Sequence, residues 1–223
     1  MDRLNSAKLS GFKSSDSIYR MITNVLIEKR NNNFKTILDF GAGKGNLLNI
    51  IMELNLFEEF HGADIIPKPK HLQEHIKWIQ MDLNDSFNVN QHINYDVIIA
   101  CEILEHLENP RHAFKQFYNL LNKNGMLIIS TPNNHSIRSI VNYIFRGHFT
   151  DFLDDSYPAH ITPIIMKDLT RYASEIYFSV PQFYFSNNGC VPAFLKYKWQ
   201  QISFGLLKGR LYSDNLAALF TKI

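Results

Sequence analysis

Residues 36–48 read Thr-Ile-Leu-Asp-Phe-Gly-Ala-Gly-Lys-Gly-Asn-Leu-Leu, an apolar β run that breaks into three alternating glycines and then into a helical pattern. Gly41, Gly43 and Gly45 supply permissive backbone where a strand must turn sharply and let a ligand approach the main chain closely. A dinucleotide loop spaces its glycines G-x-G-x-x-G, with the third packing helix on strand beside a pyrophosphate. Here the third glycine comes one residue early, Asn46 stands where that pattern wants glycine, and Asp39 precedes the loop by two positions. On its own the loop also fits a tight turn in another kind of α/β protein.

Outward from the loop, strand-like and helix-like segments alternate. Ser14 or Ser15 can cap an amphipathic helix to about Arg30, and the pattern then predicts a strand at 36–40, a helix at 45–55 and a strand at 60–65. A Pro-marked turn at 67–69 with a short helix precedes a strand at 76–80; a strand at 95–101, a helix at 110–122, a Lys-Asn-Gly turn at 123–125 and a strand at 126–131 follow. Helix-length crossovers between short apolar strands imply a parallel sheet covered on both faces. After Pro132 come about 30 residues rich in Asn, His, Phe and Asp, expected to be a loop on the substrate side, then a helix at 163–174. Strands at 177–185 and 216–222, without a helix between them, predict a closing antiparallel pair whose connection carries an insertion at 190–212.

The 223 residues suffice for one well-cored domain, with residues 1–33 as a helical cover, 34–131 as the cofactor half and 132–162 as the substrate-side loop. A net charge of +2 argues against a broad nucleic-acid footprint, and two cysteines, Cys101 and Cys190, give neither a disulfide framework nor a cysteine-rich zinc site. No apolar run reaches the roughly 20 residues that cross a bilayer, and a reducing cytoplasm is the expected location.

The motif Asp-x-Gly-x-Gly-x-Gly, together with the strand order, resembles the class I S-adenosylmethionine-dependent methyltransferases over roughly residues 34–222. The resemblance implies an α/β, Rossmann-like three-layer sandwich whose mostly parallel seven-stranded sheet has an antiparallel last strand. It also implies S-adenosyl-L-methionine as cofactor, in a crevice past the carboxyl ends of the strands. Asp39 and the backbone of Gly41, Ala42 and Gly43 would hold the methionyl end. Asp64, with Ile65 beside it, would accept from the ribose hydroxyls, Asp82 and Leu83 would meet the adenine, and Cys101 would line the floor. Asp64 also fits a helix cap before Pro67, Asp85 a turn or cap, and Lys44 a side chain that snorkels outward.

Past the fourth strand, Glu102, Glu105 and His106 fall at spacings of three and four, so one helical turn would bring them to one side. Hard oxygens with one nitrogen suit Mg²⁺, Mn²⁺, Fe²⁺ or Zn²⁺. The Glu-x-x-Glu-His pattern resembles the ubiquinone-biosynthesis O-methyltransferases and the small-RNA 3′-terminal 2′-O-methyltransferases, in which matching residues are thought to bind a divalent metal. His160 stands where the RNA enzymes carry a further histidine, although their flanking basic and acidic cluster is absent. Without a metal, His106 or His160 would be the base, with Glu102 as a further catalytic candidate, and the glutamate of the Glu-His pair would cap the following helix. His135 reads as a substrate-loop or surface residue.

Within 190–212, a helix from 193 to 203 would be apolar on one side and basic at its ends, fitting either a lid or dimer helix or contact with an anionic membrane at its inner face. Three functions follow: an O-methyltransferase for a small polar acceptor, either a glycan sugar or a phenol or catechol; a 2′-O-methyltransferase for an RNA 3′ end; or an inactive cofactor-binding sensor or scaffold.

Overall fold

The computed structural model describes residues 14–29, 31–87 and 94–223. The first helix, α1 (Asp16–Glu28), follows Ser15; Arg30, its expected end, lies outside the described residues. Strand β1 (Thr36–Phe40) leads through the glycine loop into α2 (Asn46–Glu53), and β2 (Glu59–Asp64), β3 (Lys77–Gln80) and β4 (Tyr95–Cys101) follow. Next come α3 (Pro110–Leu120), β5 (Leu121–Pro132), α4 (Ile137–Arg146) and α5 (Met166–Ile176). The chain closes with β6 (Gln182–Phe185), the hairpin strands β7 (Cys190–Val191) and β8 (Phe194–Lys198), and β9 (Asn215–Thr221).

Seven strands form one sheet in the order β3-β2-β1-β4-β5-β9-β6. The β1–β2, β1–β4, β2–β3 and β4–β5 pairs are parallel, and β9 alone is reversed, antiparallel to both β5 and β6. Apolar side chains leave the central strands alternately on both faces. Ile37, Val97, Ile99 and Ile128 pack with Ile22 and Leu26 of α1 and Leu48 and Ile51 of α2. Leu38, Ile98, Leu127 and Ile129 pack with Phe114 and Phe117 of α3 and Leu169 and Ala173 of α5. The result is three layers. Helix α3 is fixed at both ends: the Asn109 side chain accepts from the His112 N–H at 3.0 Å, and Lys222 Nζ donates to the carbonyls of Tyr118 and Leu121 at 2.6 and 2.7 Å.

Four expectations change. Residues 67–76 form isolated turns rather than a helix, because Lys68 Nζ collects the carbonyls of Gln73, Glu74 and Ile76 at 2.9, 3.1 and 2.6 Å. The stretch after Pro132 contains α4, capped by Ser136, whose hydroxyl accepts from the Ser139 N–H, and ended by Gly147 at φ +80. The strand expected from 177 starts at Gln182, since Tyr177 at φ +64 closes α5 and only Phe178 bridges to Lys222. In place of a helix over 193–203, Pro192 and Ala193, the latter at φ +62, turn the chain into β8, and one helical turn, Trp199–Ile202, follows.

Candidate functional site

The glycine loop is built by its own backbone. Gly41 and Ala42 donate their N–H groups to the Ala63 carbonyl at 2.8 and 3.1 Å, so the chain turns over the end of β2. Gly41 sits at φ +85, and a Cβ there would lie 2.1 Å from Ile103 Cδ1, which leaves no room for alanine without both strain and displacement. Past the carboxyl ends of β1, β2, β3 and β4 lies a cavity of about 800 Å³. All nine residues expected to hold a cofactor, Asp39, Gly41, Ala42, Gly43, Asp64, Ile65, Asp82, Leu83 and Cys101, line it. Lys44 is exposed, as expected.

The carboxylates of this cavity differ in their surroundings. Asp39 is buried, and its Oδ1 has no hydrogen-bond partner among the described residues. Burial, reinforced by Asp64, pushes its pKa up to about 7. Asp64 accepts from the Gly43 N–H at 2.8 Å and the Ile66 N–H at 3.1 Å, so it ties the glycine loop to the turn after β2; burial raises its pKa while these bonds oppose the rise. Asp82 accepts from the Asn84 N–H at 2.9 Å in an Asx turn that places Leu83 on the wall. Helix α1 and the two residues before it close one side through Ser14, Ser15, Ile18 and Tyr19, none of which the sequence had singled out for the site, and Tyr19 Oη accepts from the Ser14 N–H at 3.1 Å.

At the far end of the cavity stands a polar cluster. Glu105, His106 and His160 each bring a ligating atom within 4.8 Å of the others. Glu105 is fully buried; one carboxylate oxygen accepts from Thr131 Oγ1 at 3.2 Å, and the other, Oε1, has no partner among the described residues. His106 Nδ1 lies 2.7 Å from the Ala159 carbonyl and His160 Nδ1 2.7 Å from the Asp151 carbonyl. A carbonyl only accepts, so each ring presents an Nδ1 proton to it, which in a neutral ring leaves the lone pair on Nε2, the tautomer a metal-binding histidine uses. Burial, with His160 nearby, pushes the His106 pKa down to about 4 and keeps the ring neutral. Burial, with Glu102 next, raises Glu105 well above the usual carboxylate range.

Glu102 departs from the expected grouping. Its N–H continues the β4–β5 pairing by donating to the Ser130 carbonyl at 3.1 Å, and its φ of +53 puts it out of phase with the single 3₁₀ turn Leu104–His106. No shared helical turn forms. Its carboxylate accepts from Ser130 Oγ at 2.9 Å and Asn215 Nδ2 at 3.1 Å, and burial lifts its pKa to about 8. It still lines the cavity, beside the three gathered residues rather than among them. His135, in the loop after β5, is half-buried, and its Nε2 accepts from the Met166 N–H at 3.2 Å and so caps α5.

His160 reaches the cluster because the Glu105 carbonyl accepts from the N–H groups of Ile161 and Thr162 at 2.9 and 3.0 Å, which docks the loop on the 3₁₀ turn. Ser130, Thr131, Asn215 and Asp151 complete the surroundings. They come from β5, β9 and the loop after α4, far apart in sequence, and no local pattern marks them.

The family model described as a methyltransferase domain matches residues 15–182. The chain is 27% identical over 143 residues to the ubiquinone biosynthesis O-methyltransferase of Vibrio cholerae, covering 60% of this chain and 56% of that protein. It spans about half the length of the curated relatives it matches. Among solved structures, a SAM-dependent methyltransferase from Archaeoglobus fulgidus superposes with a TM-score of 0.60 at 16% identity, over 92% of this chain and 94% of that one. The plantazolicin methyltransferase BpumL, in complex with a monoazolic desmethylPZN analog and SAH, gives 0.62 at 18% identity, over 96% and 89%.

Proposed function

Because this chain belongs to the class I S-adenosylmethionine-dependent methyltransferases, we propose that it transfers the methyl group to an oxygen of a small polar acceptor, a phenol, catechol or sugar, with a divalent metal held by Glu105, His106 and His160. The observation that carries this reading is a three-residue cluster, its ligating atoms within 4.8 Å of one another, whose two histidines open on the cavity lined by the glycine loop. The donor chemistry fits a hard or borderline cation: one orphaned buried carboxylate oxygen and two imidazoles whose protons are committed to carbonyls. A neutral His106 with a pKa near 4 suits ligation better than general-base work, which favours a pKa close to the working pH.

The cofactor, when bound, supplies a methyl group already made electrophilic by a sulfonium. Asp39, with its unpartnered oxygen, would pair with the methionyl ammonium, and Gly41 and Gly43 leave the main chain open to the ligand. Asp64 would take the ribose hydroxyls, already aimed by its bonds to Gly43 and Ile66, and the Asp82–Leu83 turn would receive the adenine. The remaining task of the protein is to exclude water and hold the acceptor oxygen in line, which α1 and the 157–161 loop support by walling the cavity from two sides. A metal, when bound, would lower the pKa of an acceptor hydroxyl. Glu102, fixed by Ser130 and Asn215, would orient an acceptor hydroxyl at the rim.

A ribose 2′-hydroxyl at an RNA 3′ end is the second reading, supported by His160 joining Glu105 and His106. Radiolabelled methyl transfer decides between them. The purified protein with labelled S-adenosylmethionine and Mn²⁺ should methylate catechols or sugars bearing neighbouring hydroxyls, and chelation should abolish the transfer. Labelling of RNA alone would establish the second reading, and undiminished transfer in the presence of chelator would remove the metal.

A further inference from the structure

We propose that the end of the molecule formed by α4 and the 190–212 insertion seats on an anionic lipid bilayer. Residues 137–149 and 190–212 contain six Lys and Arg and no Asp or Glu, in a chain whose formal net charge is only +2. The same segments hold the largest exposed apolar side chains in close succession: Ile144 and Phe145 on α4, at 68% and 81% exposure, and Phe194, Phe204 and Leu206 in the insertion, at 64%, 96% and 85%. A single exposed leucine needs no explanation, whereas apolar tips in segments rich in exposed cations have the composition of an interfacial anchor.

The fold places the two segments together. Helix α4 leaves the carboxyl end of β5, and the insertion returns into β9 at Asn215, which pairs with Pro132 at that same end. Asp214 bridges them, accepting from Arg138 of α4 at 3.0 Å and from the Cys190 N–H at 3.0 Å, while Asn133 donates to the Arg210 carbonyl at 2.7 Å. Asp214 neutralises Arg138; Arg146, Lys196, Lys208 and Arg210 remain exposed in the same two segments as the apolar tips. Nucleic acid would use the cations and could stack unpaired bases on the phenylalanines, but it has no use for the aliphatic tips Ile144 and Leu206, whereas a bilayer uses all of them.

Co-sedimentation of the purified protein with phosphatidylcholine vesicles, with and without about one third phosphatidylglycerol, tests this. Binding is expected to the anionic vesicles only. Phe204→Ser combined with Leu206→Ser, and separately Lys196→Glu combined with Lys208→Glu, should each lower the partition coefficient about tenfold or more. Unchanged affinity for S-adenosylhomocysteine certifies that both variants are folded. Equal binding to neutral vesicles, or none to anionic ones, overturns the proposal. So does a dimer in light scattering that Phe204→Ser with Leu206→Ser dissolves, which would assign the face to a second copy, or binding to an RNA oligomer that the Lys196→Glu pair abolishes while vesicle binding persists in it.

Discussion

Asp39 holds a carboxylate oxygen without a partner in the described structure, in a buried place beside Asp64, and the cost of ionising it falls on the unliganded protein. Its folded pKa of about 7 lies above the usual carboxylate value, so the folded state binds the proton more tightly than the unfolded chain does. The stability this gives is present at low pH and is lost as pH rises through about 7. Two outcomes follow for Asp39→Asn. Thermal denaturation of the unliganded variant at about pH 8 should show a higher Tm than the native protein, while calorimetry should show S-adenosylhomocysteine binding weakened about tenfold or more, the worth of one charge-assisted hydrogen bond. In the native protein that affinity should strengthen from about pH 6 to about pH 8, and the trend should vanish in the variant. Glu105→Gln keeps shape and the Thr131 contact; it should lower Mn²⁺ affinity and methyl transfer at least about a hundredfold while leaving S-adenosylhomocysteine affinity within about twofold, measured by calorimetry and isotope transfer. Of these two carboxylates, the first was legible in the sequence, because a strand ending two residues before a glycine turn must deliver it to the crevice. The isolation of the Glu105 oxygen was not, since it depends on what β5 and the 157–162 loop fail to supply.

Elements follow their local signals where caps and breakers agree with packing. Helix α3 has Pro110 at its first position, the Asn109 cap before it and Lys222 on its last carbonyls. Asn109→Ala should lower the free energy of unfolding by about 1 kcal/mol in a denaturant titration, with the midpoint shifted and the slope unchanged. The signals for α4 are equally local, with Ser136 in front, Gly147 behind and Ile137, Ile140, Val141 and Ile144 at helical spacing, but Ile140 and Ile144 of that apolar face stay exposed instead of packing in the core. The insertion misled in another way. Its apolar residues fit a helical face on paper, yet Phe194 and Tyr197 favour a strand, and the turn at Pro192–Ala193 supplies a partner in β7.

On the scale of the whole molecule, the cavity joins parts that share no sequence neighbourhood: α1, the ends of the first four strands and the 157–161 loop. Saturation with S-adenosylhomocysteine should therefore protect all of them at once. Hydrogen exchange should slow in α1 and in residues 157–162 as well as in the glycine loop, and at about a hundred times the dissociation constant the gain of about 2.7 kcal/mol should raise Tm by roughly 5–10 °C. The sequence by itself determined the alternation of strands and helices, the reversed last strand and the nine residues around the glycine loop, because period, turn chemistry and strand ends are local and the carboxyl edge of a parallel sheet collects them into one crevice. Only the tertiary structure decided that Glu102 turns to Ser130 and Asn215, that His160 closes on Glu105 and His106, and that α4 and the insertion share one end. Each of these rests on hydrogen bonds between segments tens of residues apart, whose partners are chosen by the packing of the sheet and not by any spacing along the chain.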